Sequence, residues 1–303
     1  MTVNKKIATS LRGLQEKFPC NTFVLGVSGG PDSQCLLKAF SHVAKSVDAE
    51  VFACGIDHGL RPGAAAELDI AERLAESVGV PFRRVVLRVP PGANLQARAR
   101  DARYDALHDF CREVGGEVLV LAHHERDKAE TVLIRLLRGK GAGALAVMPF
   151  MSWSTRPLWA SNGEVSLKDI PITPIVRFRP MLQVTKEEIE AYLKRWNVPF
   201  ALDPSNENEK FLRVWVRKKL LPMLESKSPA IVEKLCMIAE DLDAMDGHPR
   251  MGVPGSIRGA YMQSEPPMNA DVELGAEEIE NPIQLDEFVS ELDEVVVNSI
   301  YSE

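Results

Sequence analysis

Ser28-Gly29-Gly30-Pro31-Asp32-Ser33 follows the apolar run Val24-Leu25-Gly26-Val27 and leads into Gln34-Cys35-Leu36-Leu37. Adjacent glycines let the backbone take positive φ, so successive N–H groups can converge on one concave point. A helix opening at Pro31 adds unpaired N–H groups and the positive end of its dipole, and proline suits a first turn that needs no donor. The chemistry is that of a phosphate site. Asp32 is the odd member, a carboxylate where negative charge is to be bound. A magnesium ion bridging Asp32 to phosphate oxygens accounts for it, because Mg²⁺ combines one or two carboxylates with substrate phosphates. The competing reading is an ordinary strand-turn-helix in which Ser28 and Asp32 merely cap. No Lys-Ser or Lys-Thr pair follows the glycines and no third glycine is spaced for a dinucleotide fingerprint, so Walker A and Rossmann loops are both excluded.

Three further groups carry charge at useful spacing. In His123-His124-Glu125-Arg126-Asp127-Lys128-Ala129-Glu130-Thr131, Asp127 and Glu130 stand three apart and share a helical face, where two carboxylates can hold an amine or a metal. An acidic first turn favoured by the helix dipole is the plainer alternative. The adjacent histidines point in different directions and lack a third ligand, which argues against zinc; His58 and one of His123 or His124 are expected to line the same crevice. Arg100 and Arg103 fall on one face of a helix and suit charge that develops as an anion leaves, whereas Arg98 turns away. Arg213 and Arg217, four apart, suit nucleic-acid phosphates, and a solvated basic face would look the same.

Strand candidates at Phe23–Val27, Val51–Ile56, Phe82–Leu87 and Val118–Ala122 alternate with helical segments at Asp32–Ala44, Ala65–Val78, Leu95–Val114 and Asp127–Leu137. This is the pattern of an α/β fold, a parallel sheet with helices on both faces. In such sheets ligands bind beyond the carboxyl ends of the strands where strand order reverses. The Ser28 loop, Asp57-His58-Gly59-Leu60-Arg61 and His123-His124 all follow strands, so they are expected to converge. The expected division is residues 1–150 as the nucleotide domain, 151–180 as a linker of loops and short strands, 181–246 as a small helical second domain, and 247–303 as an acidic, disordered tail. Within the helical part, Thr185 and Glu188 form a capping box, one helix is expected over Glu207 to Leu220 with Pro222 near its end, and another over Ala230 to Met245.

The 303 residues, 45% of them apolar, suffice for one sizeable domain and a smaller one. No run of about 18 apolar residues and no apolar signal core occurs, so neither a membrane span nor secretion is expected. The opening Met1–Lys17 stretch is acid-poor and weakly amphipathic. Cys20, Cys35, Cys54, Cys111 and Cys236 are odd in number and form no C-x-x-C pair, which fits reduced thiols in the cytoplasm. Net charge is −7, yet residues 259–303 carry 12 acidic residues and no Lys or Arg, leaving residues 1–258 with 36 basic against 31 acidic. A basic body admits a nucleic-acid partner despite the overall sign.

Ser-Gly-Gly-X-Asp-Ser resembles the pyrophosphate loop of ATP-pyrophosphatases, which cleave ATP between its α- and β-phosphates. The ordered set is more specific. It comprises Ser28 to Ser33, Asp57 to Arg61, Ala99 to Tyr104, His123-His124, Glu130-Thr131, Leu137 to Gly141, Arg179 to Leu182, and Asp203 to Asn206 leading to Arg213 and Arg217. Together these resemble the tRNA(Ile)-lysidine synthase family over residues 20–225.

The resemblance implies that ATP and Mg²⁺ activate the C2 oxygen of the wobble cytidine in an isoleucine tRNA with a CAU anticodon. Free L-lysine then displaces AMP. It implies ATP binding by Ser28, Gly29, Gly30, Pro31, Asp32 and Ser33 with Asp57, His58, Arg61 and His123, and metal on Asp32. It further implies catalytic roles for Asp32, Asp127, Glu130, Arg100 and Arg103, and tRNA contacts from Arg213 and Arg217. Departures occur at Arg126 and Lys128, where the family carries an aspartate and a glutamine, and at Arg98 and Val214. A sulfur transferase with the same loop and a catalytically silent tRNA-binding protein are the alternatives, and the oligomeric state, a homodimer included, stays open.

Overall fold

The structure, a computed structural model, describes residues 2–57, 59, 63–90, 92, 95–154, 175–202 and 211–245. His58, Arg61, the Asp203-to-Asn206 turn and the acidic tail therefore lie outside the described residues.

Strands β1 (Thr22–Val27), β2 (Glu50–Asp57), β3 (Phe82–Val86) and β4 (Val118–Val120) alternate with helices α2 (Pro31–Lys45), α3 (Ala64–Val78), α4 (Leu95–Glu113) and α5 (Glu125–Leu137). These sit within a few residues of the expected elements. Two short strands, β5 (Met151–Ser154) and β6 (Ile175–Phe178), extend the sheet, whose order is β3-β2-β1-β4-β6-β5. All neighbours pair in parallel except β5 with β6. The chain runs outward from β1 to β3 and then returns to the other side of β1 at β4. Strand order thus reverses between β1 and β4, and a ligand crevice is expected at their carboxyl ends. The segment expected as a linker over 151–180 supplies β5 and β6, the latter hydrogen-bonded directly to β4.

Burial on both faces explains the near-continuous apolar strands: Phe23, Val24, Leu25, Val118, Leu119 and Val120 are fully buried. One side of the sheet packs against α1 (Val3–Lys17), α2, α3 and α6 (Lys186–Arg195), and the other packs against α4. Helix α1 was not legible as an element. Its buried residues Val3, Ile7, Leu11 and Leu14 recur at helical spacing, but the lysines and arginines between them dilute the signal.

The helical region expected over 181–246 divides. Ile189, Tyr192 and Leu193 of α6 join the core around α1 and α2, while α7 (Leu212–Trp215), α8 (Leu221–Lys227) and α9 (Ile231–Met245) pack with α5 in a second cluster. Between α7 and α8 the chain makes a π turn over Val216–Leu220, so the helical path continues through Pro222 to Lys227 instead of ending near it. The i→i+5 bonding restarts the α-helix at Leu221, which places the donorless proline in a first turn. Among the described residues no helix is long and apolar enough to cross a membrane.

Candidate functional site

The loop after β1 is built around Ser33. Its Oγ donates to the Gly30 carbonyl (2.9 Å) and accepts the Ser28 N–H (3.2 Å), which curls the backbone over the start of α2. Gly29 has φ +81°, and a Cβ there would lie 2.2 Å from the Glu67 carbonyl oxygen of α3. Only glycine satisfies both constraints. Gly30 is the N-cap and Pro31 opens the helix. The loop is held from behind as well: Ala201 N–H donates to Gly29 O at 2.9 Å, and Gln34 Nε2 to Pro199 O at 3.0 Å.

A crevice opens at the point of strand reversal. Ser28, Gly30, Asp32 and Ser33 line it from the loop, Arg100, Arg103 and Tyr104 from α4, and Ala122 and His123 from the end of β4. Arg100 lies over the Tyr104 ring (5.1 Å to the centroid) and donates to its hydroxyl at 3.2 Å. Arg177 lies against the same ring at 5.1 Å. Arg98 instead donates to Pro90 O. His123 Nδ1 is buried and has no hydrogen-bond partner among the described residues. Burial pushes the His123 imidazole well below its ordinary value; Asp127 opposes this, and the Arg179, Arg100 and Arg213 charges reinforce it. A neutral ring therefore faces the crevice at pH 7. Asp57 closes a turn, its Oδ1 accepting Gly59 N–H at 2.8 Å, and is not among the lining residues.

The carboxylate pair lies next to this crevice. His124 caps α5: its Nδ1 accepts Arg126 N–H, and Asp127 Oδ2 accepts its backbone N–H at 3.1 Å. The same imidazole has its Nε2 3.8 Å from Asp32 and 3.6 Å from Asp127. Glu130 is 1% exposed and accepts Arg213 Nε (2.9 Å), Arg217 Nε (2.6 Å) and Arg217 Nη2 (3.0 Å). Arg213 also reaches Asp127 Oδ1 at 3.2 Å. Burial alone would raise the Asp127 carboxyl, but the neighbouring His124 imidazole and the Arg213 and Arg217 guanidiniums outweigh it and hold Asp127 far below the usual carboxylate range. Arg213 and Arg217, expected on an RNA-facing surface, turn inward to the carboxylates expected to meet an amine. Their spacing shows a shared face, but not what that face meets.

Sequence reasoning also missed three partners. Lys186, the first residue of α6, donates to Asp32 Oδ1 at 2.9 Å. Of the four departures noted in the sequence, Arg126 and Lys128 each face a carboxylate on a later helix: Arg126 donates to Glu225 of α8 at 2.7 Å and Lys128 to Glu240 of α9 at 2.8 Å. These pairs join residues about a hundred positions or more apart, and no local signal announces them.

The PP-loop domain model matches residues 3–224. The chain belongs to the PP-loop domain family. Within that family it is 34% identical over 236 residues to a tRNA(Ile)-lysidine synthase of Pseudomonas syringae pv. tomato, covering 78% of this chain and 48% of the relative. It is 36% identical over 207 residues to one from Rhodopseudomonas palustris, covering 67% and 54%. The chain thus spans about half the length of these relatives. Among solved structures, this PP-loop chain resembles the U34-tRNA thiolase NcsA of Methanococcus maripaludis, determined with its [4Fe-4S] cluster. The TM-score is 0.61 at 16% identity, over 80% of this chain and 78% of that one, a likeness of fold.

Proposed function

We propose that the protein ligates lysine to C2 of the wobble cytidine of a CAU-anticodon isoleucine tRNA, consuming ATP and releasing AMP and pyrophosphate. The observation that carries this reading is the continuity of the site. A phosphate loop at the strand reversal runs through His124, within 4 Å of both Asp32 and Asp127, to the Asp127–Glu130 carboxylates that Arg213 and Arg217 hold at its far end. The similarity to lysidine synthases supports the choice of RNA and amine.

In this reading Ser28, Gly29, Gly30, Pro31 and Ser33 cradle the ATP phosphates at the N-terminus of α2, and the orphaned His123 Nδ1 accepts from the nucleotide. Arg100 and Arg103 offset negative charge as the C2 oxygen attacks the α-phosphate and pyrophosphate leaves. The residues fit Mg²⁺ as a partner of bound phosphates. Asp32 offers one accessible carboxylate beside the loop, and among the described residues there is no cluster of three or more ligating side chains that would make a cage. When bound, the ion would supply charge neutralisation on the phosphate oxygens. Asp127, the less buried of the two carboxylates, orients the lysine amine for attack on C2, and Glu130, 1% exposed with both oxygens bonded to arginine, positions Arg213 and Arg217 beside it. Asp127, held strongly ionised, suits ion pairing better than proton abstraction. Arg217, 37% exposed against 18% for Arg213, is the more accessible of the two to an RNA phosphate.

The alternatives are less well supported. All five cysteines are buried, and burial pushes each thiol up to about 12, so a nucleophilic thiolate for sulfur transfer is disfavoured at neutral pH. Free thiols also agree with a reducing, cytoplasmic setting. Against a silent binding protein, Arg126 and Lys128 have carboxylate partners on α8 and α9 and leave the Asp127–Glu130 pair intact.

The experiment is transfer of radiolabelled lysine to transcribed CAU isoleucine tRNA with ATP and Mg²⁺, with a methionine tRNA as control. ATP-dependent label on the isoleucine tRNA alone is expected. ATP turnover without label would replace lysine with another nucleophile, and no turnover would favour the silent protein.

A further inference from the structure

The loop after β1 carries no lysine of its own. Phosphate loops of the Walker type place a lysine next to the β- and γ-phosphates, and here a lysine reaches the loop's Asp32 from far along the chain. Lys186 Nζ lies 2.9 Å from Asp32 Oδ1, and the side chains are 29% and 34% exposed respectively, so the pair borders open space and is not sealed in the core.

Three features hold Lys186 there. Thr185 and Glu188 form a reciprocal capping box that sets the backbone at the start of α6. Ile189, Tyr192 and Leu193 anchor α6 in the core that also contains α2, the helix whose N-terminus the phosphate loop opens. The segment before α6 is tied to the site by the bridge between Met181 and His124. An ammonium has three donors, and Asp32 is its one hydrogen-bond partner among the described residues. An exposed ion pair between two such side chains is worth only about 0–1 kcal/mol, which is little reason to build a helix terminus around it.

We propose that Lys186, which is not itself a lining residue but touches the crevice through Asp32, is a phosphate-binding residue at its edge, donating to the pyrophosphate portion of a nucleoside triphosphate while Asp32 holds it in place. The inference rests on the nucleotide reading above and adds a residue to it. Asp32 then has two roles, as a carboxylate for a divalent ion and as the guide for a flexible ammonium that would otherwise sample many rotamers.

The test is equilibrium binding of inorganic pyrophosphate and of ATP, with Mg²⁺, measured by titration calorimetry on the full chain and its Lys186→Met, Lys186→Arg and Lys186→Gln variants. Lys186→Met is expected to weaken pyrophosphate about ten- to a hundredfold, the span of one charge-assisted hydrogen bond, with Lys186→Gln between it and wild type. Lys186→Arg is expected to retain most of the affinity. Thermal unfolding of all variants should stay within a few degrees of wild type, because only an exposed pair is lost. Pyrophosphate binding by Lys186→Met or Lys186→Gln as tight as wild type overturns the role of Lys186 and leaves the nucleotide reading standing. Failure of wild type to bind either pyrophosphate or ATP overturns the nucleotide reading, and this inference with it.

Discussion

Lys128 of α5 donates to Glu240 of α9 at 2.8 Å, and the two ends of this ion pair lie in opposite environments: Lys128 is 2% exposed and Glu240 is 55% exposed. The burial difference sets an asymmetry. Removing Glu240 strands a buried ammonium, whereas removing Lys128 leaves a carboxylate that water can solvate. Glu240→Ala should therefore cost about 3–5 kcal/mol and Lys128→Met distinctly less. Urea unfolding of both variants measures this, and equal costs would mean that the ammonium is rehydrated in the variant.

Gly29→Ala combines a left-handed backbone with a Cβ aimed at the Glu67 carbonyl. Backbone strain alone should cost about 1–3 kcal/mol, and the loop must shift away from α3 to relieve the contact. Pyrophosphate release should fall by orders of magnitude at temperatures where circular dichroism still reports a folded chain. A fully active Gly29→Ala would show that the loop does not need this geometry.

Asp32→Ala is expected to abolish AMP and pyrophosphate formation while tRNA affinity in a filter-binding assay stays close to wild type. Asp32 contacts Lys186 and lies near His124, and neither is assigned to RNA. Retained turnover would remove Asp32 from the phosphate chemistry.

The depressed Asp127 carboxyl links stability to pH with a definite sign. Its folded value lies below the unfolded value of about 3.9, so its contribution is fully present above roughly pH 4 and is lost as pH falls through the lower folded value. Asp127→Asn should unfold more easily near neutrality and show a shallower acid limb below about pH 4. Parallel acid limbs for the two proteins would contradict the assignment.

Arg213 and Arg217 should differ in RNA binding, despite their four-residue spacing. Arg217→Ala is expected to reduce the salt slope of tRNA binding by about one, because Arg217 is the more exposed and stands in the π turn. Arg213→Ala should leave the slope nearly unchanged and instead destabilise the fold, since Arg213 spans Glu130 and Asp127. The reverse pattern would place Arg213 on the RNA.

The amino-acid sequence by itself determined the local parts: the strand-loop-helix at Ser28–Ser33, the alternation that makes a parallel sheet, the cap at Thr185 and the shared helical face of Asp127 and Glu130. Apart from the alternation, which is a sequence of such segments, each depends on residues within about five positions of one another, where backbone φ, hydrogen-bond reach and helical periodicity are set by neighbours along the chain. Tertiary structure decided what those parts meet. Lys186 reaches Asp32 across 154 positions, Lys128 reaches Glu240 across 112, and Arg213 and Arg217 turn inward because Glu130 lies buried opposite them. Helix α1 belongs to the same class, since its apolar stripe is diluted by surface charge and gains meaning only from the core it covers. Ion pairing and burial are set by distance in space, which a linear pattern of residue types does not encode.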